Sequence, residues 1–210
     1  MARGTGAGTT ELENFSGLLV NKNAITIRYG SASGNTLSIA ARCATYLGSF
    51  RATADGQATD TQAARLLFNA YNLASRRLFV GGAAATYTYS TATWRDIGGV
   101  GLKIELLLGL SGTLIEAAAT SLFANSTSTA QIVRSGIGVD STTAPDGGSL
   151  IGSHAATPQL SQMIANYSGY PGLGYHYLSQ LEMGAGADTQ TWFAYSVGLY
   201  RAGMIGSALL

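Results

Sequence analysis

The chain has 210 residues and a formal net charge of +1, and only 11% of its residues are charged, against about a quarter in an average globular protein. Its charge is too balanced for the concentrated basic face that nucleic-acid binding requires, and no apolar run reaches the ~18–20 residues needed to span a bilayer. So few charges suit a solitary soluble protein poorly. We therefore expect other copies or a larger assembly to cover much of the surface.

Apolar and polar residues alternate with a period of two along most of the chain, which predicts β-strands because successive side chains of a strand point to opposite faces. The predicted strands are residues 25–29, 36–41, 45–52, 77–80, 86–90, 100–108, 115–123, 131–139, 174–181, 189–195 and 198–208. Clusters of Gly, Ser, Thr, Asn and Asp separate most of them, at a spacing typical of all-β proteins. We predict an all-β fold, an antiparallel and jelly-roll-like β-sandwich.

Two segments have a helical pattern instead. Residues 60–73 place apolar side chains at i, i+3, i+4 and i+7 from Ala64. Residues 157–167 have Pro158 at a plausible first helical position. We predict one or two short helices there, and a strand at residues 113–123, for which a helix is the alternative.

The chain shows no repeat of fixed period and no proline-rich linker. We predict an N-terminal arm at residues 1–17, which is rich in glycine and does not order by its own propensity, and a single sandwich domain at residues 18–210. We expect the arm to anchor the protein to its assembly. The lone Cys43 excludes an internal disulfide and is predicted to be buried, because it continues the apolar alternation of the preceding strand.

Residues that catalyse reactions or bind metals are scarce. Neither His154 nor His176 has a second ligand at a spacing typical of metal sites. We interpret His176 as a strand histidine, with a ligand or general base as the alternative. Residues 140–146 offer two carboxylates and several hydroxyls. This composition is typical of turns, and a calcium-binding loop is the alternative. We predict a protein that is not an enzyme and has no cofactor.

Aromatic residues crowd into the last fifth of the chain. Tyrosine is enriched at protein interfaces and in binding clefts, because its ring supplies contact area and its hydroxyl a hydrogen bond. Core packing is the alternative for any single ring. The candidate interface or ligand contacts are Phe15, Tyr170, Tyr175, Tyr177 and Trp192.

Four strings rich in Gly, Thr or Tyr lie at residues 86–95 (TYTYSTATWR), 137–145 (IGVDSTTAP), 169–178 (GYPGLGYHYL) and 189–193 (TQTWF). In these strings the chain resembles a group of small virion structural proteins of tailed bacteriophages. The resemblance implies a jelly-roll-like β-sandwich that serves in capsid decoration, in a head fibre or in receptor binding by a tail fibre. It implies no catalytic residue.

These observations lead us to expect a homo-oligomer, most simply a trimer, that also contacts other virion proteins such as the major capsid protein. We expect it to be made in the host cytoplasm and to reside in the virion, without bound nucleic acid and without a membrane span. The alternative is a receptor- or glycan-binding tail-fibre domain that contacts a host surface glycan. The apolar residues 203–210 are predicted to form a paired strand or a buried interface element.

Overall fold

The computed structural model describes residues 12–82, 86–126, 131–146, 150–154, 160–193 and 202–210. The strands in these ranges are β1 (Leu12–Phe15), β2 (Leu18–Asn21), β3 (Ile25–Arg28), β4 (Thr36–Ile39), β5 (Gly48–Phe50), β6 (Ala52–Ala54), β7 (Gln57–Ala58), β8 (Ala64–Arg65), β9 (Leu67–Asn69), β10 (Ser75–Gly81), β11 (Thr86–Thr88), β12 (Arg95–Asp96), β13 (Lys103–Leu108), β14 (Ile115–Asn125), β15 (Gln131–Val139), β16 (Leu150–His154), β17 (Ser161–Gly169), β18 (Gly174–Met183), β19 (Gln190–Phe193) and β20 (Gly203–Leu209).

Two six-stranded sheets form the body of the protein. The first sheet has the order β16-β15-β18-β13-β8, with β12 also paired to β18. The second sheet has the order β10-β20-β14-β19-β11, with β17 also paired to β14. Their ladders are antiparallel apart from the short parallel pair of β8 and β13.

Side chains that alternate inward from both sheets build the core. Along β14, the residues from Ile115 to Phe123 at odd positions are buried. Ile115, Ala117 and Ala119 among them meet Ile104, Leu106 and Leu178 of the first sheet in one apolar cluster. A second cluster at the β19 end of the second sheet surrounds Trp192.

Polar groups also join the two sheets across the interior. The hydroxyls of Ser121 and Ser135 lie 2.8 Å apart, and the Gln180 amide donates to the Thr120 carbonyl at 2.9 Å. Because these pairs link β14 of the second sheet to β15 and β18 of the first, the sheets pack face to face. The chain is an all-β protein with a β-sandwich of antiparallel sheets, which confirms the predicted fold class and is consistent with a jelly-roll-like arrangement.

Small two-stranded hairpins precede the sandwich. They are β1–β2, β3–β4, β5–β9 and β6–β7. Tyr46 and Phe68 from this region belong to the main core cluster, so part of this region packs against the interior of the sandwich. Residue 17, where we placed the end of an arm, lies in the turn of β1–β2. Residues 1–11 of that arm lie outside the described residues.

Both helix predictions are wrong where the structure describes them. In residues 60–73 the strands β8 and β9 put Leu66 and Phe68 inward and Leu67 outward, so pairing with β13 and β5 overrides the helical spacing. In residues 160–167 the edge strand β17 pairs with β14 over nine residues. Residues 157–159 are not described. A 3-10 turn at Ile97–Gly99 is the sole helical element in the described ranges.

Strand β14 confirms the strand predicted for residues 113–123. Strand β20 lies between β10 and β14 and pairs with both, which confirms that the C-terminal segment forms a paired strand. Cys43, predicted to be buried, is exposed.

Within the described ranges, we find no helix with the length and apolar character needed to cross a membrane.

Candidate functional site

A cluster of tyrosines and charged residues lies on the outer face of the first sheet. Tyr175 and Tyr177 project from the same side of β18, with ring centroids 6.4 Å apart. Glu105 stands opposite Tyr177 on β13 and accepts a hydrogen bond from the Tyr175 hydroxyl. The alternation of two paired strands thus brings two of the predicted contact residues together with a carboxylate.

Two cations of the same chain lie over these rings. The Arg51 guanidinium is 3.4 Å from the Tyr175 ring centroid, and the Lys103 ammonium is 4.4 Å from that of Tyr177. Burial, the hydrogen bond to Glu105 and its negative charge raise the pKa of Tyr175 to about 12, so its hydroxyl stays protonated at neutral pH. The cluster is therefore held mainly by cation–π and hydrogen-bond contacts within the chain.

Sequence reasoning missed Arg51, Lys103 and Glu105. Lys103 and Glu105 did carry a signal, because two charges spaced by two residues interrupt an apolar strand and must share its outer face. Arg51 carried none, since only the tertiary structure brings it to Tyr175.

Asp140 and His176 form a second polar pair beside this cluster. His176 Nδ1 is 2.7 Å from Asp140 Oδ2, and Asp140 Oδ1 accepts the Tyr177 amide at 2.9 Å. The His176 Nε2 atom, which a general base would direct at its substrate, is buried and has no hydrogen-bond partner in the described residues. His154 ends strand β16.

The calcium alternative for residues 140–146 gains no support from this geometry. Both carboxylate oxygens of Asp140 already have partners on β18. The Ser141 hydroxyl accepts the backbone amides of Thr143 and Ala144, at 3.2 Å and 3.0 Å. Across the described ranges, no three His, Cys, Asp or Glu side chains gather in a way that would hold a metal ion.

Glu182 is fully buried and belongs to a network of its own. Its Oε1 atom accepts from Arg95 Nε at 2.8 Å and from the Gly98 amide at 3.1 Å, and its Oε2 atom accepts from the Tyr87 hydroxyl. Burial raises the pKa of Glu182, while Tyr87 and Arg95 act in the opposite direction. The network ties β11, β12 and the 3-10 turn to β18.

The other predicted contact residues differ in their exposure. Tyr170 lies between β17 and β18 and is 64% exposed, and Phe15 is exposed beside Arg42, whose guanidinium lies 4.9 Å from the ring centroid. Trp192 was wrongly included, because it is fully buried and its indole donates to the Tyr89 carbonyl at 2.9 Å. Trp192 lies on the side of strand β19 that faces the interior of the sandwich.

An apolar hairpin surface, which sequence reasoning did not single out, is the most unusual feature of the N-terminal region. Ile25 pairs with Ile39 and Ile27 pairs with Leu37 across β3 and β4, so four aliphatic side chains share one side of the hairpin. None of the four is fully buried, and Leu37 is 53% exposed. The periodicity of both strands was visible in the sequence, but it implied a covered face.

The base of hairpin β3–β4 is fixed by one buried side chain. The Asn21 amide donates to the carbonyls of Asn23 and Ala40 at 2.8 Å and 2.7 Å, and its oxygen accepts the Ala44 amide at 2.8 Å. The hairpin thus has a defined position although its apolar side is open. Residues 14–54 carry four basic residues and no acidic one: Lys22, Arg28, Arg42 and Arg51.

Comparison with known proteins does not assign the chain to a family. No family model matches it, and no curated protein matches it. Among solved structures, it has a weak similarity to exo-β-1,3-galactanase from Phanerochaete chrysosporium. Two of the matching structures contain galactotriose and galactose, with 14% identity, TM-scores of 0.19 and 0.18, and 94% and 95% of this chain covered. The chain spans 42% and 43% of those proteins' length.

Proposed function

We propose that this protein is a non-enzymatic structural subunit of a bacteriophage virion, of the capsid-decoration or head-fibre type, that forms homo-oligomers and docks on neighbouring virion proteins. The open aliphatic side of hairpin β3–β4 is the observation that supports docking on neighbouring virion proteins. The resemblance of residues 86–95, 137–145, 169–178 and 189–193 to virion proteins supports the assignment to a phage particle.

Physical chemistry argues that hairpin β3–β4 has a partner. An isolated two-stranded hairpin is marginally stable in water, and fully burying one aliphatic side chain stabilises a structure by about 1.5–3 kcal/mol. Four such side chains on one side therefore favour contact with another protein surface. The two cations on or beside the hairpin, Lys22 and Arg28, suit a partner surface that is apolar and acidic.

The charged side chains favour a structural role over catalysis. Three of the described carboxylates are engaged in ion pairs, Glu13 with Arg42, Asp60 with Arg65 and Glu182 with Arg95, and Asp140 is hydrogen-bonded to His176. The alternative role in glycan binding gains little from Tyr175 and Tyr177, since cations of the chain itself lie over both rings.

The test compares the two sides of hairpin β3–β4. The variant Ile27→Asp/Leu37→Asp places charges on the aliphatic side, and the matched control Thr26→Asp/Ser38→Asp places them on the opposite side. Mass spectrometry of purified virions measures how many copies each particle holds, and circular dichroism checks folding. We expect the control to enter virions as the wild type does and the aliphatic-side variant to fold but stay outside. Absence of the wild-type chain from virions, or equal entry of both variants, would refute the proposal.

A further inference from the structure

The two outer faces of the sandwich differ in how the chain covers them. On the first sheet, the outward Ser179 and Leu181 of β18 are fully buried. The loop after β15 lies over this sheet so closely that a Cβ on Gly138 would collide with the backbone oxygens of Ser141 and Ala144. On the second sheet, the outward Ile164, Ile205 and Leu209 are 41%, 48% and 50% exposed. Among the described residues, the middle of the first sheet's outer face is therefore covered, whereas the outer face of the second sheet is open.

The open face is a flat strip across four strands of the second sheet. The registers of the β10–β20, β14–β17 and β14–β20 ladders place the residues of this strip on the same side of the second sheet. Small side chains make up much of this strip, and a shallow depression of about 540 Å³ lies beside Ala118 and Ile205. The open face comprises Arg77, Phe79, Glu116, Ala118, Thr120, Ile164, Asn166, Ser168, Gly203, Ile205, Ser207 and Leu209.

Opposite charges stand symmetrically on this face. Ser207 of the central strand β20 pairs with Glu116 on one side and with Arg77 on the other. Each neighbouring strand is about 4.8 Å away, so the Cα atoms of Glu116 and Arg77 lie in one row, about 10 Å apart. Neither forms an ion pair with another described residue; the Arg77 guanidinium lies 5.5 Å from the Phe79 ring centroid.

We propose that the open face binds the same face of a second copy around a two-fold axis that runs along β20, over Ser207. Rotation about that axis exchanges left and right, so Glu116 of each copy meets Arg77 of the other and two ion pairs form. Residues on the axis meet themselves, which buries Ile205 and Leu209 against their own counterparts. Sheets that pack face to face with nearly aligned strands are a common arrangement, and self-complementarity is what a two-fold interface requires.

This inference rests on the homo-oligomer part of the proposed function and names the surface that forms it. It does not depend on hairpin β3–β4 or on residence in a virion. The two proposals therefore fail in different experiments, since self-association of the purified full-length chain tests the open face and entry into virions tests the hairpin.

The experiment measures the dimer dissociation constant by sedimentation equilibrium for the wild type, Glu116→Arg, Arg77→Glu and the double exchange. Each single reversal puts like charges together twice, so we expect about a tenfold or greater weakening, and the double exchange should restore affinity to within about threefold of the wild type. The matched control Arg76→Glu reverses the neighbouring charge on the opposite side of β10 and should leave the dissociation constant unchanged.

Circular dichroism and thermal melting accompany each variant. If a charge reversal prevents folding, Ile205→Lys provides a second test, because it places two ammonium groups on the axis and should give a folded monomer. The inference is overturned by a wild type that stays monomeric, by single reversals with unaltered affinity, or by a double exchange that does not recover it. A trimer without a dimer, the assembly that composition suggested, would overturn the two-fold geometry as well.

Discussion

Cys43 lies in a turn where the strand alternation has already stopped. Strand β4 ends at Ile39, and Arg42 adopts a positive φ of 64°. The Cys43 amide bonds to the Ala40 carbonyl at 3.3 Å. Because the chain turns here, the parity that would bury the thiol is lost and the side chain is exposed.

We therefore predict that a thiol reagent such as DTNB modifies Cys43 in the native protein almost as fast as in the unfolded protein. Exposure of the sulfur is the physical reason, since burial is what normally protects a structural cysteine. The absorbance of the released chromophore measures the rate, and Cys43→Ser provides the blank. Protection of the native thiol by orders of magnitude would contradict the exposed position.

The network around Glu182 shows how a buried charge is held in this fold. The carboxylate has three donors, from Arg95, Tyr87 and the Gly98 amide. Removing one member of such a pair leaves the other charge in a poorly solvated place, which costs more than the pair contributes. Arg95 is the member to remove, because it is partly exposed and its loss leaves Glu182 behind.

We predict that Arg95→Met lowers the free energy of unfolding by about 3 kcal/mol at neutral pH. The control Arg134→Met removes an arginine whose guanidinium contacts the Met183 sulfur at 3.5 Å. It should lower the free energy of unfolding by less than about 1 kcal/mol. Urea denaturation measures both values. Equal costs for the two variants would contradict this account of the network.

The cost of Arg95→Met should also depend on pH. Burial raises the folded-state pKa of Glu182, and loss of Arg95 raises it further because the opposing charge is gone. As the pH falls through these values, the carboxyl is protonated in both proteins and the difference between them shrinks. Denaturation at pH 4 and at pH 7 should therefore give a smaller difference at pH 4, and a constant difference would exclude the charge as its cause.

Strand β20 depends on a close approach of backbones. Gly206 faces inward between β10 and β14, and a Cβ at this position would collide with the Glu116 carbonyl oxygen and lie 3.0 Å from the Ala117 Cα. A side chain as small as a methyl group would push β20 away from β14. Glycine is required here by space rather than by a turn.

We predict that Gly206→Ala destabilises the protein by about 1–3 kcal/mol, the range found for overpacked interiors. The control is Gly112→Ala, where an added Cβ meets nothing within 4 Å and the change should stay within about 0.5 kcal/mol. Thermal melting compares the two variants. A Gly206→Ala protein as stable as the control would show that β20 does not approach β14 this closely.

At the level of the whole molecule, the N-terminal hairpins and the sandwich share one core. Phe68 of hairpin β5–β9 is 3% exposed and packs in the main cluster, while Phe50 of the same hairpin is 66% exposed. A Cβ added at Gly109, after β13, would collide with the Phe68 ring. The hairpin and the sandwich should therefore unfold together.

We predict that Phe68→Ala lowers the stability of the whole chain by about 3 kcal/mol or more, as in other large cavities. Trp192 fluorescence, measured in a Trp94→Phe background because Trp94 is the other tryptophan of the chain, reports this from the other apolar cluster. Phe50→Ala, the matched control, should change stability by no more than about 0.5 kcal/mol. If Phe68→Ala disordered the hairpins without shifting the transition seen by Trp192, the two regions would be independent units.

The sequence predicted the all-β class and most strands of the sandwich, because alternation with a period of two is a local property that each strand carries. It predicted the candidate site only in part. Tyr175 and Tyr177 were found as neighbours on one strand, whereas their partner Arg51 comes from a distant segment. Trp192 was named as a candidate contact, with core packing as the alternative, because alternation gives two faces but does not say which one is inward.

Only the tertiary structure decided which pattern prevails and which face is covered. Residues 60–73 satisfy a helical spacing, yet the pairing of β8 with β13 and of β9 with β5 selects strands there. The sequence of β14 and β20 likewise implies two faces for the second sheet without showing that one stays open. What the sequence determined by itself is local: strand content, turns and a surface poor in charge. Register, burial and the symmetric placement of Glu116 and Arg77 arise from contacts between segments far apart in the chain, and no local pattern records them.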